Sequence, residues 1–192
     1  MNTLFPLSYV SPPGFSYEDE FINQEEEARL LKDIEGVELK TLHFQGYEAK
    51  RKTASFGYDW SFEKRQLSRG KDIPAVFMWL IERVAKKCTT KVDAFSELLI
   101  TEYPVGAVIN WHRDAPPFDI IAGISLLSDC TFKFRPYEKE KQGRKSILSL
   151  PVKRRSLYII KDAARSEWEH STGAVKATRY SVTLRTVKND LR

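Results

Sequence analysis

Apolar residues recur at helical spacing over 73–87, IPAVFMWLIERVAKK, where Val76, Phe77, Leu80, Ile81 and Val84 share one face. That period predicts an amphipathic helix, and the closing lysines suit the negative end of its dipole. An earlier helix is predicted from Asn23. Asn23 fits an N-cap, Glu26 stands where a capping box wants a carboxylate, and Gly36 offers a stop. The first twenty residues, with Pro6, Pro12, Pro13 and Gly14, read as irregular. After Cys88 the pattern changes to short apolar or alternating runs broken by turn residues: SELLITEY, VINWHR, IIAGISLL, TFKFRP, KSILSLP, SLYIIK and RYSVTLRTV. VELKTLHF and TASFGY add strands before the second helix. Strands in this number, following helices, predict an antiparallel sandwich or barrel with the helices packed on one side. Jelly rolls share this grammar, and the architecture alone gives no function.

Composition narrows the class. A chain of 192 residues suits a single domain with a real core, and 42% hydrophobic with 30% charged residues excludes a disordered or fibrous chain. No apolar run reaches the roughly eighteen residues of a membrane span. The N-terminus lacks a basic start followed by an apolar stretch, so no secretory signal is expected. Cys88 and Cys130 lie far apart, which points to a reduced, intracellular protein, cytoplasmic or nuclear. The net charge of +5 is unevenly spread. AKRK at 49–52 and the segment 133–155 are basic, whereas YEDEFINQEEEARL is acidic. Such asymmetry attracts a polyanion to one face, or is simply a solvated surface.

The candidate chemistry begins at NWHRDAPPF. On a strand, residues two apart point to one face, so His112 and Asp114 can aim an imidazole and a carboxylate at one point. Alone, the pair reads equally as a hydrogen-bonded strand end. His170, in EWEHSTG, follows after enough chain for a later strand to return beside the first. Two histidines and one carboxylate leave open metal positions, the arrangement suited to non-haem Fe(II) oxygenases. Zinc is the rival, but a zinc hydrolase needs a base and a polarising group that the sequence does not identify. In RYSVTLR, Arg179, Ser181, Thr183 and Arg185 alternate with Tyr180, Val182 and Leu184. An edge strand with its polar face outward would look the same. Two fixed guanidiniums close after a metal ligand, however, suit a dicarboxylate, and with that metal they suggest 2-oxoglutarate.

Taken together, His112-x-Asp114, His170 and the arginine-x-Ser-x-Thr-x-arginine strand at 179–185 resemble the AlkB-like Fe(II)/2-oxoglutarate dioxygenases. ITEYPVGAVINWHRD, with Tyr103 and Gly106, and KDAARSEWEHS support the resemblance, which covers about 95–187. It implies an α+β, mostly β fold: a double-stranded β-helix, or jelly roll, with N-terminal helices on one side. It implies one dioxygenase domain, with a catalytic core at 91–188 and an extension at 1–90 carrying helices and a nucleotide-recognition lid. It places iron on His112, Asp114 and His170, and Arg179 on the distal carboxylate of 2-oxoglutarate with Tyr103 assisting. Arg185 would lie near Asp114 and the keto-acid end. Thr101 and Ser181 stand where well-known members carry asparagine, so they would rearrange the cosubstrate's hydrogen bonds. Asp162 occupies a turn position often held by glycine.

The implied activity consumes O2 and 2-oxoglutarate, releases succinate, and hydroxylates a C–H bond. On an N-methylated base the product would lose formaldehyde. Methylated DNA or RNA is therefore the expected substrate, with a protein or small molecule, or a non-catalytic metal-binding jelly roll, as alternatives. The segment EAKRKTASFGY is similar to the family's nucleotide lid. There Lys50, Arg51 and Lys52 would meet phosphates, while Phe56, Tyr58 and Trp60 alternate on one strand face to stack a base. Aromatic stripes also form core. Trp111 and Arg113 could meet substrate at the pocket mouth, Trp168 could wall it, and His43 reads as a surface or hydrogen-bonding histidine. A monomer is expected.

Overall fold

The computed structural model describes residues 10–44, 47–61 and 63–188, the side chains of 42–44 and 47 excepted. His43 therefore lies outside the described side chains. The chain runs β1 (Phe15–Glu18), α1 (Gln24–Glu35), β2 (Lys40–Phe44), β3 (Tyr47–Ser61), β4 (Gln66–Arg69) and α2 (Met78–Cys88). It continues through β5 (Phe95–Tyr103), β6 (Ile109–His112), β7 (Phe118–Leu126), β8 (Cys130–Pro136), β9 (Leu148–Val152) and β10 (Leu157–Ile160). It ends with α3 (Asp162–Ser166), β11 (Trp168–Thr172) and β12 (Arg179–Val187).

The expected caps form. Asn23 Oδ1 accepts from the Glu26 N–H and Glu26 accepts from the Asn23 N–H, each at 2.8 Å, and Gly36 closes α1. The helix expected at 73–87 instead opens as a 3₁₀ turn, Ala75–Phe77, after an extended Pro74. Proline has no N–H to donate and biases Ile73 away from helix, so the α-helix starts late. Residues 15–18 correct the irregular reading of the N-terminal segment. They pair with β10, Phe15 opposite Ile160, so a distant strand supplies what four residues cannot supply alone. Gly14 makes this possible: its φ is +89°, and a Cβ there would sit 2.1 Å from the Lys161 carbonyl oxygen.

Two antiparallel sheets face one another as a jelly roll. The larger runs β1-β10-β7-β12-β5-β3-β2, with β4 on the outer half of β3; the smaller runs β6-β11-β8-β9. One apolar cluster joins Leu30 and Ile34 of α1 and Leu80 and Val84 of α2 to the outer face of the larger sheet at Leu98, Ile100, Val182 and Leu184. Burial of each such side chain contributes about 1.5–3 kcal/mol. A second cluster lies between the sheets, around Phe118, Ile121, Phe132, Phe134 and Tyr158. Strand alternation then fixes the site. With Val182 and Leu184 committed to the helices, Arg179, Ser181 and Thr183 must face the interior.

Candidate active site

Pairing of β6 with β11 sets His112 directly opposite His170, with ring centroids 4.3 Å apart. Asp114 follows just beyond β6, and its Oδ2 lies 3.6 Å from His170 Nε2. One ligand atom from each of the three residues falls within 4.8 Å of the others. His112 Nδ1 lies 2.8 Å from the Asn110 carbonyl oxygen, so the tautomer that donates there leaves Nε2 free as a ligand. Asp114 Oδ1 accepts from Arg185 Nε (3.1 Å) and Nη2 (2.7 Å), while Oδ2 is buried without a hydrogen-bond partner. An orphaned carboxylate oxygen facing two imidazoles fits a cation.

Protonation agrees with that use. Burial opposes ionisation of Asp114, but Arg185, His170 and His112 outweigh it and hold the acid well below the usual carboxylate range. Burial, with His112 alongside, pushes His170 down to about 3, so its imidazole is neutral near pH 7, as a ligand must be. Arg165 fixes the loop that carries the carboxylate: its Nη2 donates to the carbonyls of Asp114 (3.0 Å) and Ala115 (2.6 Å).

Deeper between the sheets, Arg179 is 1% exposed and faces Tyr103 across the β5–β12 pair. Its Nε donates to Ser125 Oγ at 2.9 Å, its guanidinium carbon stands 4.9 Å from the Tyr103 ring centroid, and Nη2 is buried without a partner. Among the described residues no salt bridge compensates this cation. Ser181, opposite Thr101, lies beside the Tyr103 hydroxyl at 3.5 Å, and both Ser181 and Thr101 are buried. A buried guanidinium with neutral partners and a nitrogen to spare fits a carboxylate. The other arginine is already engaged: Arg185 Nη1 donates to Glu97 Oε2 at 2.8 Å, and Ser55 Oγ donates to Glu97 Oε1 at 3.1 Å.

The ligand triad, Arg185, Glu97, Thr101 and Tyr103 floor a cavity of about 2220 Å3, which Lys50, Arg51, Trp60, Trp111 and Arg113 border toward the outside. The expected aromatic face requires correction. Gly57, at φ +83° with its Cβ position 2.1 Å from the Ser96 carbonyl oxygen, breaks the alternation of β3. Phe56, opposite Leu98, packs against the helix-side cluster while still bordering the cavity, Tyr58 is exposed away from the cavity, and Trp60 packs on the inter-sheet cluster. Lys52, opposite Glu102, is exposed and does not border the cavity. Arg113 is held by its own chain, Nη1 on the Ser166 carbonyl at 2.9 Å and its guanidinium 3.5 Å from the Tyr137 ring centroid. Trp111 has Arg135 stacked on it at 4.5 Å. Trp168 packs on the inter-sheet cluster. Asp162 takes φ 52°, as expected at a glycine-type turn.

Glu97, Ser125 and Arg165 did not stand out in the sequence. For the first two, strand parity was the available signal: Glu97 shares a face with Thr101 and Tyr103, and Ser125 lies opposite Ser181. Arg165 carried none.

A jelly roll that brings two histidines and one carboxylate to the floor of one cavity, with an arginine buried between the same two sheets, defines the site of a 2-oxoglutarate-dependent iron oxygenase. The chain belongs to the 2OG-Fe(II) oxygenase superfamily, whose family model matches residues 21–186. It is a dioxygenase that uses Fe(II), 2-oxoglutarate and O2, and it is similar to AlkB homologues in sequence and fold. It is 29% identical over 166 residues to the mouse (Mus musculus) tRNA (carboxymethyluridine(34)-5-O)-methyltransferase ALKBH8, covering 83% of this chain but 24% of that protein. The chain thus spans about a quarter of the length of that relative. Uncharacterized protein L905 of Acanthamoeba polyphaga mimivirus is 28% identical over 191 residues, covering 91% of this chain and 85% of its own length. The OsALKBH1 structure superposes with a TM-score of 0.71 at 13% identity, over 94% of this chain and 100% of that one, a likeness of fold. No helix among the described residues is long and apolar enough to cross a membrane.

Proposed function

We propose that this dioxygenase oxidatively demethylates N-alkylated bases in DNA or RNA. The observation that carries the reading is the cavity itself, with the ligand triad on its floor and Lys50 and Arg51 at its border. Phosphates flanking a flipped-out base need cations there, and the base needs depth to reach the floor. A tRNA-modifying enzyme among the relatives supports a nucleic-acid substrate. Tyr58 faces away from the cavity while Phe56 borders it, which removes one side of the expected base clamp and favours as second reading a protein or small-molecule substrate for the same oxygenation.

In this reading His112, Asp114 and His170 hold Fe(II), and Arg179 with Tyr103, Thr101 and Ser181 holds 2-oxoglutarate. Bound iron and cosubstrate supply the oxidising power, with O2 consumed and succinate released. The chain supplies the rest. His112 is fixed in tautomer by the Asn110 carbonyl, His170 is kept neutral by burial, and Arg185 fixes the Asp114 carboxylate. The walls of Phe118, Ile121 and Phe132 keep the floor dry. Residues 91–188 form the catalytic core and 1–90 the extension whose β3–β4 hairpin covers the cavity. The test is a panel of methylated single- and double-stranded DNA and RNA, scored for formaldehyde and succinate. Formaldehyde release from one of these, absent with the unmethylated control, is expected. Succinate formation stimulated only by a peptide or small molecule would replace this reading with the second.

A further inference from the structure

Glu97 is an acid that neither the triad nor the cosubstrate cradle requires. It sits in the middle of β5 at 3% exposure, directly opposite Arg185 across the β5–β12 pair. Burial pushes its carboxyl up, and Arg185 and Ser55 only partly oppose that. A buried carboxylate is costly and seldom repays its desolvation as stability, so its place suggests another use.

The hydrogen bonds show one. Arg185 gives Nη1 to Glu97 Oε2, and gives Nε and Nη2 both to the same oxygen of Asp114, Oδ1. None of its donors reaches Oδ2. A guanidinium naturally meets a carboxylate two-to-two, one N–H on each oxygen. That arrangement would take the oxygen that faces the imidazoles. Glu97 pulls on the far edge of the guanidinium, and Ser55 in turn holds Glu97 Oε1 at 3.1 Å. Glu97 also offsets the cationic charge that would otherwise draw electron density from the ligand oxygens.

We propose that Glu97 is a positioning residue that holds Arg185 on Oδ1 of Asp114 and so keeps Oδ2 free to bind the metal. This rests on the reading of His112, Asp114 and His170 as the metal ligands. Ser55 extends the chain of contacts to β3, at the root of the hairpin above the cavity.

The test is metal affinity, read as free Mn(II) by paramagnetic resonance and as the rise in Tm on adding Mn(II), with the full chain and no substrate. Wild type should bind and His112→Ala should not. If the two bind alike, the metal reading fails and this proposal with it. Glu97→Gln keeps the size and loses the charge, and should weaken Mn(II) by about 10–100-fold, the usual loss for a residue that orients a ligand. Glu97→Asp keeps the charge but cannot span both Ser55 and Arg185, and should also weaken binding. A merely structural role would lower the metal-free Tm and leave Mn(II) affinity at the wild-type value, and that result overturns the proposal. Should Glu97→Gln fail to fold, the same two outcomes are read from Glu97→Asp.

Discussion

Replacing Arg179 by methionine separates binding from stability in a way few buried substitutions do. In the protein without cosubstrate, Arg179 is a buried cation with neutral partners and one nitrogen unsatisfied. Arg179→Met forfeits the bond to Ser125, about 1 kcal/mol. It also relieves an uncompensated charge, whose effective burial penalty is about several kcal/mol. The cosubstrate-free fold should therefore lose nothing, and each kcal/mol gained raises Tm by about 2–4 °C in a domain of this size. With 2-oxoglutarate present the balance reverses. Losing one partner of a buried ion pair costs about 3–5 kcal/mol. At about 1.4 kcal/mol per tenfold, that weakens 2-oxoglutarate by roughly two to three and a half orders of magnitude. Thermal unfolding with and without 2-oxoglutarate, and its KM from succinate formation, read the two effects separately. A drop of more than a few degrees in the cosubstrate-free Tm, or an unchanged KM, would refute the reasoning.

Three further outcomes are expected. His112→Ala or Asp114→Ala should abolish turnover while leaving circular dichroism and cooperative unfolding intact; full activity in either would remove it from the ligand set. Gly123→Ala should cost about 1–3 kcal/mol by overpacking, because its Cβ would fall 2.1 Å from Cζ of Tyr158; an unchanged Tm in calorimetry would show that the ring can move. The metal-free protein should lose stability as pH falls from about 6.5 toward about 3. In that window the unfolded chain protonates His170 readily and the folded chain does not, and the depressed Asp114 acts in the same direction. Urea titrations at several pH values should show a flatter profile in His170→Gln, and an identical slope would contradict the burial effect.

How much of this was legible in the sequence depends on how local each determinant is. The α1 cap could be read because its two hydrogen bonds join residues three apart. The triad could be read because His112 and Asp114 are close in sequence and the third ligand came from one of only three histidines. β1 could not, since its partner is some 140 residues away and four residues carry no period of their own. The shared face of Phe56, Tyr58 and Trp60 failed for a related reason. Alternation is dependable only while the backbone stays extended, and the left-handed Gly57 interrupts it.

The two arginines of β12 show the limit most plainly. They share a strand face by parity, and nothing within RYSVTLR distinguishes their uses. The difference arises from what other strands bring to each. β5 and the loop after β6 deliver Glu97 and Asp114 to Arg185, so its donors are satisfied and its charge is offset inside the protein. The strands around Arg179 deliver only the uncharged groups of Ser125, Tyr103, Cys130 and Tyr158, so its charge is left over. A buried cation left over is a cost that folding alone does not recover, and an anionic ligand recovers it. On this ground we assign Arg179 to the cosubstrate in the proposed reading, while Arg185 is held by the Asp114 carboxylate. Exchanging their surroundings, by moving an acid from position 97 to position 125 in a Glu97→Ser, Ser125→Glu double variant, should occupy Arg179 internally and displace 2-oxoglutarate. A double variant that binds 2-oxoglutarate with wild-type affinity would show that charge compensation does not set the division.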